Sequence, residues 1–241
     1  SVEEMVYNLN DCTPKILFAD KEFQEGIQGA REELSTVEAY FDLGPVGGDF
    51  SDFSSLLEKG ESPDVVDVAT DDGFVIIHTA AVAGRPRGAL LSHGNVLCAD
   101  MHLDYHCQIT SDDVHLNILP LFHVGGLFMV TATFHVGATN LNVRKFDAEK
   151  AVTLIAEEGA SILIEFPPIL SSILEAHEKT GTDIRGLRAV AGLESPETIE
   201  KYQELTGGTF YVLYGQTETS CLATFGAYSD QPGSAGRPLP L

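Results

Sequence analysis

With 241 residues, the chain can bury a sizeable core as one large domain or two small ones. Apolar residues make up 44% and charged residues 21%, a globular balance with no low-complexity tract or internal repeat, which excludes a disordered or fibrous protein. The 36 acidic against 14 basic side chains give a net charge of -22, which opposes general binding to nucleic acid or an anionic membrane and favours solubility.

Cys12, Cys98, Cys107 and Cys221 form no C-x-x-C pair, and no secretory n-region or h-region is visible, so a reduced, cytoplasmic protein is expected. Residues 118–138 are the most membrane-like stretch, free of acidic and basic side chains. Pro120, His123, Gly125, Gly126 and His135 interrupt it, which favours a turn and helix in a core over a membrane span.

In chain order, residues 15–19 read as a strand, Phe23, Ile27, Ala30 and Leu34 recur at helical spacing, and residues 37–41 read as a second strand. Together they predict a strand, helix, strand unit of a parallel sheet. Residues 43–63, richer in Gly, Ser and Asp, read as a connection with a short helical patch at 53–57. Residues 74–77 then form an apolar run that reads as a buried strand, and Gly84, Arg85, Pro86, Arg87 and Gly88 follow in a loop. A second short run, residues 89–91, leads to Ser92, a good N-cap for a helix starting near Gly94.

Gly84 and Gly88 let the loop backbone approach a ligand closely, while Arg85 and Arg87 add fixed positive charge beside exposed amides. That combination suits a polyphosphate. It is not a Walker loop, because Ala89 follows Gly88 and no Gly-Lys-Ser/Thr occurs. By itself the stretch reads equally well as a basic surface turn between two core strands.

The next helix carries Cys98, His102 and His106 at intervals of four, with Cys107 adjacent. Ligands on one helix face do not converge without a second element, so a packed or half-exposed face is expected there and no metal. Residues 114–118 read as a strand, 120–126 as a turn bearing His123, and 139–143 as another strand. Phe146 is expected to open a helix with an apolar stripe of Ala151, Val152, Ile155 and Ala156. A strand at 161–166 ends at Pro167 and Pro168, and a helix follows with Ile169, Leu170, Ile173 and Leu174 on one face. Residues 187–191 form a strand into Gly192, Leu193 and Glu194, and Ser195 with Pro196 starts a further helix. The run 210–213 leads into Tyr214, Gly215, Gln216, Thr217 and Glu218, and the chain is expected to stop in loop at Leu241. The fold class is therefore α/β, with predominantly parallel sheets flanked by helices, and a subdivision at 1–145 and 146–241 suggests itself.

The motif Y-G-Q-T-E at a strand end places a stacking face, a close-approach point, a phosphate contact and a metal ligand within residues 214–218. A magnesium-nucleotide site uses that set of groups. These two stretches, together with LPLFHVGG at residues 119–126 and PGSAGRPLP at residues 232–240, resemble the ordered signature motifs of the acyl-adenylate-forming superfamily, the fatty acyl-CoA synthetases and their relatives.

The resemblance implies the central part of that family's large N-terminal domain, with ATP or AMP, Mg2+ and CoA as partners. ATP would be held by Thr79, Gly84, Arg85, Arg87, Gly88, Gly192, Leu193, Glu194, Tyr214, Gly215, Gln216 and Thr217, with the adenine against the backbone of residues 192–194. Glu218 would hold magnesium, Thr217 would orient the phosphates, and His123 would line the acyl site with a role in shape and gating. The strand end at Phe166 and Pro167 would line the acyl pocket. The implied activity is activation of a carboxylic acid as acyl-AMP, then thioester formation with CoA. A fatty acid is preferred because the segments around His123 and Pro167 are apolar and show no fixed charge suited to an amino group. The alternatives are an adenylation domain serving a carrier protein, and a degenerate nucleotide-binding module without turnover.

Two departures stand out. Where the family loop carries serine and threonine hydroxyls, this chain has Ala80, Val82 and Ala83, and Arg87 replaces the usual lysine. Each lost charged hydrogen bond is worth about 1.5 to 3 kcal/mol, which backbone amides and the second arginine would partly offset. The family's opening segment, its ribose-binding aspartate and its lysine-bearing C-terminal domain have no counterpart here. The chain therefore reads as a central fragment of a larger enzyme, and by itself as a poor catalyst or none.

Overall fold

The structure, a computed structural model, describes residues 1–44, 48–57, 60, 64–80 and 84–240. It divides into two compact units, one of Ser1–Val68 with His78–Ala89 and one of Ala69–Ile77 with Leu90–Leu241.

The first unit opens with helix α1 (Val2–Cys12), capped by the Ser1 hydroxyl, which accepts from the Glu4 amide at 3.2 Å. Strand β1 (Ile16–Ala19), helix α2 (Lys21–Gly29) and strand β2 (Ala39–Asp42) form the expected unit, the strands pairing in parallel with Ile16 against Ala39. A two-residue strand β3 (Ser51–Asp52) adds to β2 within the stretch read as a connection, too short to leave a period in the sequence. The helical patch at Phe53–Leu57 is a 3-10 turn. The spacing from Phe23 to Leu34 is used only in part. α2 stops at Gly29, a 3-10 turn Arg31–Glu33 carries the chain on, and Phe23 is 54% exposed while Ile27, Ala30 and Leu34 are buried. Gly26 and Gly29 weaken the helix where it ends. Val6 and Phe50 complete this core.

Strands β4 (Gly73–Thr79) and β5 (Arg87–Ser92) flank the loop in the expected order, but 74–77 is not the buried strand expected: in a two-stranded sheet the run alternates, with Phe74 44% and Ile76 40% exposed and Ile77 buried. Helix α3 (His93–Cys107) starts where Ser92 predicted: the Asn95 amide donates to Ser92 Oγ at 3.2 Å, and the Ser92 amide donates to Asn95 Oδ1 at 2.9 Å. The second unit then alternates strand and helix: β6 (Val114–Asn117), α4 (Val124–His135), β7 (Thr139–Asn142), α5 (Ala148–Glu157), β8 (Ile162–Glu165), α6 (Ile169–Thr180), β9 (Ala189–Gly192), α7 (Pro196–Thr206) and β10 (Thr209–Tyr214). Strands β11 (Thr224–Ala227) and β12 (Arg237–Pro238) follow, in a stretch to which the sequence assigned no element. Leu241 lies outside the described residues.

The seven strands stand in the order β12-β11-β10-β9-β8-β6-β7, parallel from β10 to β7, with β11 and β12 antiparallel at the edge. Strands covered on both faces read as continuous apolar runs rather than alternating ones. Ile162, Ile164, Ala191 and Leu213 pack with Leu103 of α3 and Phe128 of α4, whereas Leu163, Val190 and Phe210 pack with Val152, Leu170 and Ile199 of α5, α6 and α7.

Three expectations are corrected. The sheet joins β6 and β7 to β8, β9 and β10, so the second unit runs through residues 145 and 146 and the chain does not divide there. α5 opens at Ala148, not Phe146, because the Asp147 carboxylate caps it by accepting from the Lys150 amide at 2.8 Å. Ala156 is exposed, and the buried stripe of α5 is Ala151, Val152 and Ile155. Residues 118–138 do hold a turn and the helix α4, and among the described residues no helix is long and apolar enough to cross a membrane. All four cysteines are free.

Candidate functional site

β6 and β8 are neighbours in the sheet, yet α4 leaves β6 over one face and α5 enters β8 from the other. Open parallel sheets bind ligands outside the carboxyl ends of their strands, at such a reversal. Here β6 and β8 pair only at His115 with Ile162 among the described residues, whereas β8 and β9 pair from Ile162 with Ala189 to Glu165 with Gly192. The ladder is therefore open between β6 and β8 at their carboxyl ends. His123, beyond β6, and Phe166, just beyond β8, meet across that opening with ring centroids 5.7 Å apart at 81°. His123 is exposed and is the N-cap of α4, its Nδ1 accepting from the Gly125 amide at 3.1 Å. The neutral ring thus carries its proton on Nε2. Only glycine fits next at Gly126, where a Cβ would lie 2.5 Å from the Pro120 carbonyl oxygen.

β9 and β10 leave the sheet at the same edge, Val212 pairing with Gly192. Leu193 is exposed after β9, and Tyr214 presents its ring to solvent at the end of β10, 59% exposed. Gly215 is held by close approach, since a Cβ there would lie 1.6 Å from the Cys221 carbonyl oxygen. The turn beyond it closes on itself. The Gln216 amide donates to Thr219 Oγ1 at 3.1 Å, and the Cys221 amide donates to the Gln216 carbonyl at 3.2 Å. Thr217 is half-buried, and Glu218 is exposed. Glu218 and Thr219 line a cleft of about 570 Å³ with Asn95, Cys98 and His102 of α3.

A magnesium ion takes oxygen ligands and keeps water and phosphate partners, so one exposed carboxylate is a sufficient protein ligand. Glu218 fits that part, with no ion pair among the described residues. Among the described residues no group of three or more His, Cys, Asp or Glu is placed to hold a metal ion. His106 packs its ring at 5.7 Å from that of Phe225, and burial, then His102, lowers its pKa.

Glu165 escaped the sequence reasoning. Its side chain is fully buried at 0% exposure, with Oε2 accepting from the Leu170 amide of α6 at 3.4 Å. Its Oε1, like Oε2 of neighbouring Glu194, has no hydrogen-bond partner among the described residues. Burial, then the Glu194 charge, pushes the Glu165 carboxyl up to about 8, against the Leu170 amide. The available signal was a carboxylate closing the otherwise apolar run of β8. Gly192 lies against this acid, where a Cβ would sit 2.0 Å from the Glu165 carbonyl oxygen and 3.1 Å from its Oε1.

The remaining expected residues belong to the first unit. Thr79 ends β4, and its hydroxyl donates to the Arg87 carbonyl at 3.4 Å. Gly84 adopts φ of 97°, and Arg87 and Gly88 open β5, both exposed. Arg85 lies over the Tyr7 ring, 4.9 Å from its centroid. Neither arginine forms an ion pair among the described residues. Ala80 is exposed, while Ala81, Val82 and Ala83 lie outside the described residues. The structure thus gathers His123, Gly192, Leu193, Glu194 and residues 214–218 at one edge of the large sheet, and Thr79, Gly84, Arg85, Arg87 and Gly88 around one loop of the first unit.

A family model described as AMP-binding enzyme matches residues 1–241. The chain is 31% identical over 242 residues to an indoleacetate–CoA ligase of Aromatoleum aromaticum, an alignment covering 96% of this chain and 47% of that protein. It is 24% identical to a medium-chain fatty-acid–CoA ligase of Escherichia coli, covering 90% of this chain and 40% of that protein. Among solved structures, a Rhodopseudomonas palustris protein assigned as a long-chain-fatty-acid CoA ligase superposes with a TM-score of 0.91 at 37% identity, over 99% of this chain and 60% of that one. The chain spans about half the length of the curated relatives it matches.

Proposed function

Since the chain belongs to the AMP-binding enzyme family over residues 1–241, we propose that the protein it is part of joins a carboxylic acid to ATP and passes the acyl group to CoA. The observation that carries this reading is the common edge at which β6, β8, β9 and β10 deliver His123, Phe166, Gly192 and Tyr214. The substrate carboxylate attacks the α-phosphorus of ATP and pyrophosphate leaves. The CoA thiolate then attacks the acyl carbon and AMP leaves.

The residues of this chain position the reactants and screen charge. The backbone of Gly192, Leu193 and Glu194 and the exposed face of Tyr214 take the adenine, with Gly215 and Gln216 shaping the turn. Thr79, Gly84, Arg85, Arg87 and Gly88 cradle the phosphates, and Thr217 orients them. In a chain of net charge -22, two arginines on one loop with no ion pair among the described residues are left available to an anionic ligand. Glu218 would hold Mg2+, which would supply positive charge against the phosphate oxygens. His123, facing Phe166, shapes and gates the acyl entrance.

We further propose an apolar acid as substrate, with a fatty acid preferred. Phe166 beside the opening and exposed Leu121 and Phe122 before His123 support it, and the relatives' names span indoleacetate and medium-chain fatty acids. A cytoplasmic setting fits four free cysteines and the supply of ATP and CoA. The test is acid-dependent ATP–pyrophosphate exchange on the full-length protein with a panel of fatty and aromatic acids. Exchange is expected to need a particular acid and to fall about 100-fold in Glu218→Ala. Folded protein that exchanges with no acid overturns the reading.

A further inference from the structure

Helix α1 has two working faces. Met5, Val6 and Leu9 enter the core of the first unit. On the other side Tyr7 and Asp11, one turn apart, point the same way. Asp11 Oδ2 lies 3.1 Å from His78 Nε2, at the end of β4, and the Tyr7 ring lies under the Arg85 guanidinium. A cleft of about 560 Å³ between them is lined by Glu3, Tyr7 and Asn10 of α1 and by Gly84, Arg85 and Pro86 of the loop.

We infer that α1 is a brace for the phosphate loop, with Tyr7 and Asp11 as positioning residues that hold Arg85 and His78 on the two arms of that loop. At Gly84 nothing lies within 4 Å of where a Cβ would be, so this position adds no side-chain packing beside Arg85. Ala80, Val82 and Ala83 offer no side-chain hydrogen bond that could stiffen it. A cation–π contact with the Tyr7 ring spends none of the guanidinium N–H donors as hydrogen bonds, which leaves them to oxygen ligands. The brace thus fixes the arginine without occupying the donors that a phosphate needs. The assignment of the bound group to ATP rests on the function proposed above; the brace itself rests on the contacts of α1.

The test uses the full-length protein and its Tyr7→Leu, Tyr7→Phe and Asp11→Asn variants. Hydrogen exchange of the peptide covering residues 84–92 reports the loop without any nucleotide, and calorimetric titration reports ATP. Exchange is expected to rise about three-fold in Tyr7→Leu and in Asp11→Asn, and to stay at the wild-type rate in Tyr7→Phe, which keeps the aromatic face. ATP affinity is expected to fall about three-fold in the same two variants and to be retained in Tyr7→Phe. Because leucine keeps most of the buried volume, a mere packing role would leave the leucine and phenylalanine variants alike. Exchange at the wild-type rate in both Tyr7→Leu and Asp11→Asn overturns the brace. Raised exchange in those variants with no ATP binding by the wild type supports the brace and overturns the nucleotide reading of the loop.

Discussion

The two ends of the large sheet treat buried charge in opposite ways. Before the amino ends of β6, β8 and β9, Asp113, Ser161 and Arg188 form a closed network. Arg188 donates from Nε to Asp113 Oδ1 at 2.8 Å, from Nη2 to Oδ2 at 2.6 Å and from Nη1 to the Cys107 carbonyl at 2.9 Å. Ser161 Oγ donates to Asp113 Oδ1 at 2.7 Å and accepts from the Val114 amide at 3.0 Å. Burial alone would raise the Asp113 pKa, but hydrogen bonds led by Arg188 hold it at about 2. At the carboxyl ends, Asn117, Glu165 and Glu194 each keep an oxygen without a hydrogen-bond partner among the described residues. The Asp113 network is matched internally, although His115 Nε2 beside it on β6 has no hydrogen-bond partner among the described residues, whereas the carboxyl ends leave carboxylate and amide oxygens unmatched where the strands open. Natural proteins give up local consistency at functional sites and recover the stability elsewhere.

The largest effect should come from breaking the closed end. Arg188→Ala leaves the Asp113 carboxylate, 5% exposed, without its charge partner, and is expected to cost about 3 to 5 kcal/mol in urea denaturation. Because the folded pKa of Asp113 lies below its ordinary 3.8, its contribution is present above that value and is lost as pH falls through about 2. The variant should therefore also lose that acid limb of the stability profile. A loss under about 1 kcal/mol at neutral pH would mean the amino end is no sturdier than the site.

Glu165→Gln sharpens the other half of the comparison. A folded-state pKa raised from 4.5 to about 8 means the wild type loses stability as pH rises through that interval, since ionisation strands a charge among α6 and β9. The neutral amide should abolish this decline and exceed wild-type stability at pH 9 by about 2 to 4 kcal/mol, with little difference at pH 4. Denaturation midpoints that track each other across this range would show that Glu165 finds a partner for its charge.

The sequence carried the alternation of strands and helices because covered strands such as β9 and β10 are largely apolar runs and most helices announce a cap, as at Ser92 and Ser195. It carried neither β3 nor β12, each of two residues, because period-2 patterning needs more chain than that. The strand order was equally silent. That β8 returns to pair with β6 rather than β7 decides where the sheet opens, and no local signal fixes it. Motif spacing did place Gly192 and Tyr214 at strand ends, while Glu165 hid because a carboxylate after I-L-I looks like the solvent end of a strand. Tyr7 hid for another reason: no element was expected before residue 15, and its contact with Arg85 joins residues far apart in the chain.

The smallest effect tests whether the closed end is a network or a single ion pair. Ser161→Ala removes one donor to Asp113 Oδ1, which still accepts from Arg188 Nε, and takes the side-chain acceptor from the Val114 amide. The expected loss is about 1 to 2 kcal/mol, well below that of Arg188→Ala. If the groups act as one network, the double variant should lose less than the sum of the two singles by at least about 0.5 kcal/mol, because once Arg188 is gone Asp113 is already released. Strict additivity in urea denaturation would reduce the amino end to one ion pair beside an independent serine. The contrast with the carboxyl end would then rest on Arg188 alone.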